Sequence, residues 1–311
     1  MRRQRYSVKL SLFLAVLLVL SCFLQAASAE DQNIYYVENE WNYVDGSMDV
    51  SHGIPQNATG VLDRIRRKGI LRVATEPYFA PQEFIDPDMK DQERFAGADM
   101  MLARLIAKRM GVKLEILPME FTQVLPALTE DQCDLTISAI SFTPGRASSY
   151  TMSKGYYFVD NQASTGFVIR ETDREAITSL EDLADKTLIA QSSSLQEALA
   201  AQHIYSYKQF RRVSSVQTVY EAVQKGKADA GVVDQKTARD YIENNPGCGL
   251  CIADGLSFSL EEQYQGDRIV AKKGELQLIY FVNGVIDEVL ESGAYMEWIG
   301  EAEARAKELG L

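Results

Sequence analysis

The side chains best suited to hold a small charged molecule fall in two short stretches, and a third stretch invites a thiol reading. Ser138, Ser141 and Thr143 precede Arg146 at the carboxyl end of a strand expected over Asp134–Ile140. A guanidinium offers a carboxylate two parallel charge-assisted hydrogen bonds, and α/β crevices take up ligands at the carboxyl ends of strands. Ser192, Ser193 and Ser194 lie between another expected strand and Ser194-Leu195-Gln196-Glu197, a capping box that opens a helix. The first turn of such a helix offers free N–H groups and positive potential to an anion. The bland alternatives are a surface arginine in a loop and a serine that only caps its helix. Cys248 and Cys251 have the x-x spacing of redox and half-zinc motifs. No second Cys or His cluster completes a zinc site, and Asn245-Pro246-Gly247 marks a turn where a thiol-redox motif needs a strand and a helix. A local disulfide is the expectation, with Cys133 left as a buried, small apolar residue.

These residues need a scaffold, and hydrophobic periodicity supplies one of α/β class. A helix is expected over 61–68, a strand over 70–75, and a helix over 99–110 that Gly111 terminates. A strand over 112–117, a short helix over 124–129 and the strand over 134–140 follow. The pattern then restarts. Strands are expected over 165–170, 187–190 and 228–233, with a short capped helix at 179–183, the capping-box helix from 194, and a helix over 219–225. After a strand at 268–271, two long helices cover 276–290 and 295–309.

Composition narrows the classes. The 311 residues carry 32 Lys plus Arg against 44 Asp plus Glu, a formal charge of -12, which argues against a nucleic-acid surface. Two His leave little room for a multi-histidine metal site, and neither a metal nor a cofactor is expected. Arg2, Arg3, Arg5 and Lys9, an apolar run over 10–24 and Ala27-Ser28-Ala29 form a secretory signal peptide with cleavage after Ala29. A lipoprotein box ending at Cys22 is the alternative, although Leu20 fits it poorly. Residues 30–60 hold six acids, no Lys or Arg, and Tyr35, Tyr36, Trp41 and Tyr43, aromatics expected to pack on something.

From about Val61 onward the chain resembles the bacterial extracytoplasmic solute-binding proteins that serve polar amino-acid ABC transporters. The motifs are Leu71-Arg-Val-Ala-Thr-Glu76 with Phe79-Ala80-Pro81, Phe95-Ala-Gly97-Ala-Asp99, and Phe121 with Leu125-Pro126-Ala127-Leu128. They continue with Asp134 through Ser138, Ser141-Phe-Thr143 and Arg146, then Asp229 through Asp234, and Gly293-Ala-Tyr295. The resemblance implies a two-lobed periplasmic-binding-protein type II fold, with two hinge strands and the ligand cleft between the lobes. Lobe 1 would take 61–164 plus 268–311, and lobe 2 would take 165–267.

An α-amino acid is a zwitterion, so its carrier needs a cationic fork, an acid and walls for the side chain. By resemblance, Arg146 holds the carboxylate, helped by Ser194 and backbone N–H groups of its helix. Asp234 holds the ammonium with the backbone oxygen of Ser138 and the hydroxyl of Ser141. Phe79 and Phe121 form aromatic walls, and Glu76 and Gln191 suggest a polar or cationic ligand side chain. Ser193 and Leu195 depart from the family, which often has Gly and a hydroxyl residue there. The function implied is the substrate-binding component of an importer, a monomer that closes about its hinge and docks on membrane permease subunits. The rival is an exported enzyme of the same fold, a cyclohexadienyl or arogenate-type dehydratase with Glu76 as general acid.

Overall fold

Strand-forming and helix-forming stretches alternate into two five-stranded sheets in this computed structural model, which describes residues 43–158, 165–258 and 265–311. The strands in chain order are β1 (Ile70–Thr75), β2 (Tyr78–Phe79), β3 (Glu83–Ile85), β4 (Phe95–Ala96), β5 (Lys113–Pro118), β6 (Leu135–Thr136) and β7 (Tyr150–Tyr157). There follow β8 (Thr165–Arg170), β9 (Thr187–Gln191), β10 (Gln209–Val213), β11 (Ala230–Asp234), β12 (Leu250–Phe258) and β13 (Asp267–Lys272). One sheet runs β5-β1-β6-β13-β7 and the other β10-β9-β11-β8-β12. In each, the β1/β5/β6 or β9/β10/β11 core is parallel and the strands beyond it run antiparallel. The chain passes from the first sheet to the second after β7 and returns after β12, so the first lobe is built from both ends of the chain. Two α/β lobes joined by two crossings are the fold class the sequence implies.

The lobes repeat one device. Asp134 accepts from the Arg72 N–H at 2.8 Å and pairs with the Arg64 and Arg72 guanidiniums. Asp229 accepts from the Thr187 N–H at 2.8 Å and from Arg170. Each acid fixes the start of a parallel strand whose other end faces the cleft.

The F-x-G-x-D stretch has a steric and an electrostatic cause. Gly97 has φ of 109°, and a Cβ there would lie 2.2 Å from the Gln82 carbonyl oxygen. Asp99 then opens the helix Ala98–Met110 fully buried, accepting from the Ala139 N–H and from the hydroxyls of Tyr156 and Tyr295. The Gly293-Ala-Tyr295 ending thus meets the first long helix at one carboxylate.

Several expectations need correction. The strand at 134–140 pairs only over Leu135–Thr136, because Ala139 adopts φ of 46° and turns the chain into the cleft. The short helix begins at Phe121 and divides into Phe121–Val124 and Pro126–Thr129. At 179–183 only Glu181–Leu183 is helical, and its cap is reversed: the Asp182 carboxylate accepts from Thr178 and Ser179. Strands β7, β10 and β12 and the helix Gln235–Asn244 had no sequence counterpart above.

The Cys248–Cys251 disulfide is also overturned, for all three described cysteines are free. Successive side chains of a strand point to opposite faces. Leu250 and Ile252 of β12 pack with Cys248 on one face of the second sheet, whereas Cys251 and Ala253 pack on the other.

The expected leader, Cys22 and residues 30–42 lie outside the described residues. From Tyr43 onward the preface packs on the first lobe. Met48, Val50, Ile54 and Ala58 are buried in its core beside the helix Leu276–Ser292. Asn283 donates to the Val44 and Gly46 carbonyls, and the Met48 carbonyl oxygen lies 2.2 Å from where a Cβ on Gly284 would be. Tyr43 stacks under the Arg268 guanidinium at 3.7 Å and edge-on to Phe142. Among the described residues no helix is long and apolar enough to cross a membrane.

Candidate ligand-binding cleft

The carboxyl ends of β1, β6, β9 and β11 converge on one cleft between the lobes, with about 690 Å³ of empty space counted together with the solvent open to it. All nine residues singled out from the sequence line it. From the first lobe come Glu76, Phe79, Phe121, Ser138, Ser141 and Arg146; from the second come Gln191, Ser194 and Asp234.

Arg146 lies in the first turn of Pro144–Ser149, whose N-cap Thr143 accepts from the Arg146 N–H. Its Nη1 donates to the Ser141 carbonyl at 2.6 Å and its Nη2 crosses the cleft to the Ser193 carbonyl at 2.8 Å. Phe121 lies under the guanidinium at 6.0 Å. Burial pushes its pKa down to about 10, still a cation at neutral pH. Two of the five guanidinium N–H groups are used, so three remain for a ligand.

Asp234 ends β11 and caps the helix Gln235–Asn244, its Oδ1 accepting from the Thr237 N–H at 2.9 Å and hydroxyl at 3.0 Å. Burial raises its carboxyl above the ordinary range, and the Thr237 bonds oppose that shift. The Lys236 N–H bonds the same carboxylate, which lines the cleft.

Ser194 performs the capping the sequence assigns it. Its Oγ donates to the Gln191 carbonyl at 2.8 Å and accepts from the Glu197 N–H at 3.0 Å. Glu197 closes the box one residue early, accepting from the Ser193 N–H at 2.6 Å, and Ser193 has φ of 64°. Thus the family's glycine position keeps a left-handed backbone here with a serine on it. The Ser194 hydroxyl is committed to the cap, so Leu195 and Gln196, which line the cleft, carry the N–H groups at the open helix start.

Glu76, 1% exposed, ends β1's turn into the cleft, and Gln191 Nε2 reaches its Oε1 at 3.3 Å from the other lobe. Burial, partly offset by Gln191 and reinforced by Glu120, pushes its pKa up to about 8. The Ser138 hydroxyl accepts from the Glu76 N–H at 3.0 Å and donates to Glu83 at 2.9 Å, so it serves the first lobe's own structure. Phe79 packs against the second lobe's core from the first-lobe hairpin β2–β3.

Glu83, Lys236, Thr237 and Asp267 are among the lining residues that were not singled out from the sequence. Glu83 is buried beside Asp99; burial and that neighbour hold its carboxyl well above its usual range. Lys236 pairs with Asp240 and, across the lobes, with Glu303, which together outweigh burial and hold its ammonium pKa above the ordinary value. Among the described residues no cluster of His, Cys, Asp or Glu is placed to hold a metal ion.

Two α/β lobes that enclose a polar cleft of ligand size define a solute-binding protein. The chain belongs to the bacterial extracellular solute-binding proteins, family 3, whose family model matches residues 71–300. A probable histidine-binding protein of Campylobacter jejuni is 26% identical over 230 residues, which cover 72% of this chain and 81% of that one. The L-cystine-binding protein TcyJ of Escherichia coli is 23% identical over 78% of this chain and 86% of its own. Among solved structures, the amino-acid ABC transporter substrate-binding protein AbpA of Streptococcus pneumoniae, bound to L-arginine, superposes with a TM-score of 0.70 at 31% identity. That match covers 78% of this chain and 98% of AbpA. An ancestral amino-acid-binding protein described as a precursor of cyclohexadienyl dehydratase superposes with a TM-score of 0.66 at 25% identity, over 78% of this chain and 99% of that one.

Proposed function

We propose that this protein is the extracytoplasmic substrate-binding component of an ABC importer for an α-amino acid with a cationic side chain. The observation that carries the reading is the division of charge across the cleft. Arg146 stands on one lobe and Asp234 on the other, each with hydrogen-bonding capacity left toward the space between. A zwitterion satisfies both and bridges the lobes, so it binds the closed form better and shifts the population toward it. Four acids, Glu76, Glu83, Asp234 and Asp267, line the cleft beside Arg146 and the already paired Lys236; burial raises the pKa of each, and a second cationic group on the ligand favours their ionised forms. The chain is exported and works as a monomer that presents its closed surface to the permease.

Small-angle scattering tests the closure. Saturating L-arginine is expected to compact the protein, and no compaction with any amino acid of a full panel would sink the reading.

One observation favours the catalytic rival: with a pKa of about 8, Glu76 holds a proton at neutral pH, as a general acid must. Binding still accounts better for the cleft, since a substrate without an ammonium leaves Asp234 uncompensated. Product formation from an arogenate-type substrate, lost in Glu76→Gln, would reverse this choice.

A further inference from the structure

Asp267 opens β13 at the point where the chain re-enters the first lobe, and its half-buried side chain lines the cleft. Among the described residues its carboxylate accepts no hydrogen bond and forms no ion pair. Both neighbouring guanidiniums are directed elsewhere: Arg146 to the Ser141 and Ser193 carbonyls, Arg268 to Ser153 and Gln265 and over the Tyr43 ring. Its carboxyl faces a cleft that also contains Asp234, and burial, Asp99 and Asp234 push it well above its usual range, outweighing the pull of Arg268 and Arg146.

Its position answers a need that the Arg146/Asp234 pair leaves open. The carboxylate and ammonium of an α-amino acid hang from one carbon, so the groups that grip them must be neighbours. Asp267 and Ser141 form a backbone bridge, and Arg146 donates to the Ser141 carbonyl. Cation and acid are therefore anchored to one residue of the same lobe. An ammonium has three N–H donors. Asp234 has one oxygen committed to Thr237, and the Ser138 hydroxyl is bonded within its own lobe.

We infer that Asp267 is a second ammonium partner of the ligand, so that the first lobe grips both charged groups of the zwitterion before Asp234 closes on it. The inference rests on the amino-acid-binding reading and adds to it a residue and an order of events. Ligand docks first on Arg146 and Asp267, with both ends already oriented. Closure brings in Asp234, and the ammonium between them relieves the repulsion of two acids facing each other. In the ligand-free closed form no cation stands between them and burial pushes the Asp267 carboxyl well above its usual range, a cost of closure that the ligand's ammonium removes.

The experiment is calorimetric titration of the ligand-stripped full chain and its Asp267→Asn form with L-arginine and with the arginine analogue that lacks the α-amino group. The wild type is expected to prefer L-arginine strongly. Asp267→Asn is expected to weaken L-arginine binding by about tenfold to a hundredfold while leaving the analogue nearly unaffected. Thermal unfolding without ligand supplies the folding control: replacing an acid that burial disfavours in its charged form should leave Tm unchanged or raise it. Equal loss for both ligands, or undiminished L-arginine binding, overturns the inference while the transport reading stands. Failure of the wild type to bind any amino acid overturns both.

Discussion

The Arg146 guanidinium spans the cleft to the Ser193 carbonyl oxygen at 2.8 Å, linking the ligand-facing loop of one lobe to the start of a helix on the other. Ser193 presents that oxygen because it sits in a left-handed conformation just before the capped helix Leu195–His203. The same guanidinium lies over the Phe121 ring, 6.0 Å from its centroid, and is anchored on its own lobe by the Ser141 carbonyl. Arg146→Lys keeps the charge and loses the fork, so it is expected to weaken amino-acid binding by about tenfold or more in a calorimetric titration. Retention of full affinity in Arg146→Lys would show that planar, two-pronged recognition is not used.

Glu76 gives the binding a pH signature. Its carboxyl is held at about 8 by burial, so below that pH the ligand-free cleft carries a proton there. A cationic ligand group favours the ionised form, so binding releases the proton and affinity should rise as pH climbs toward 8. Stability of the free protein runs the other way. Between the ordinary glutamate pKa of 4.5 and about 8 the folded chain holds a proton that the unfolded chain has lost, so stability falls across that window. Glu76→Gln should flatten both trends. Titrations at several pH values in two buffers of different ionisation heat measure the released proton directly, and its absence would exclude Glu76 from the ligand's cationic end.

Tyr295→Phe removes one of the donors to buried Asp99, a bond of 2.6 Å. A hydrogen bond to a charged group contributes about 1.5–3 kcal/mol, and chemical denaturation should show a loss of that order. The partner Tyr156 still donates to Asp99 at 2.9 Å, so the fold should survive. Ligand affinity is expected to change little once the variant is folded.

The preface from Tyr43 to Ala58 should behave as part of the first lobe. Tyr43→Ala removes the ring over Arg268, a desolvated cation–π contact that contributes about 2 kcal/mol, together with the edge contact to Phe142. Arg268 also donates to Ser153 and Gln265, which flank the two interlobe crossings. Denaturation of Tyr43→Ala is therefore expected to show lower stability, and an unchanged midpoint would mean that the segment is only an appendage.

What the sequence made legible follows from the range of the forces involved. Strand β1 and the helices over 98–110, 276–292 and 294–309 could be read within a residue or two, because apolar periodicity and terminal glycines are local signals. Strand β10, with Arg211 and Arg212 in it, owes its pairing to β9 and has no such pattern of its own. The nine cleft residues were found through motifs whose members lie close in sequence to strand ends. Asp267 and Glu83 were missed because their meaning depends on which distant groups they face: Ser141 and Asp234 for one, Ser138 and Asp99 for the other. The cysteine pair failed for a similar reason, since β12 assigns Cys248 and Cys251 to opposite faces of a sheet that the spacing alone does not reveal.

The central claim is that the interlobe cleft holds an α-amino acid through Arg146. Its most direct test is calorimetric titration of the protein, stripped of carried-over ligand by unfolding and refolding, with L-arginine and a panel of other amino acids, alongside Arg146→Ala. Saturable binding of one or a few amino acids by the wild type, weakened about a hundredfold or more in Arg146→Ala, is the expected result. Equally tight binding by Arg146→Ala, or no amino-acid binding by the wild type, would contradict it.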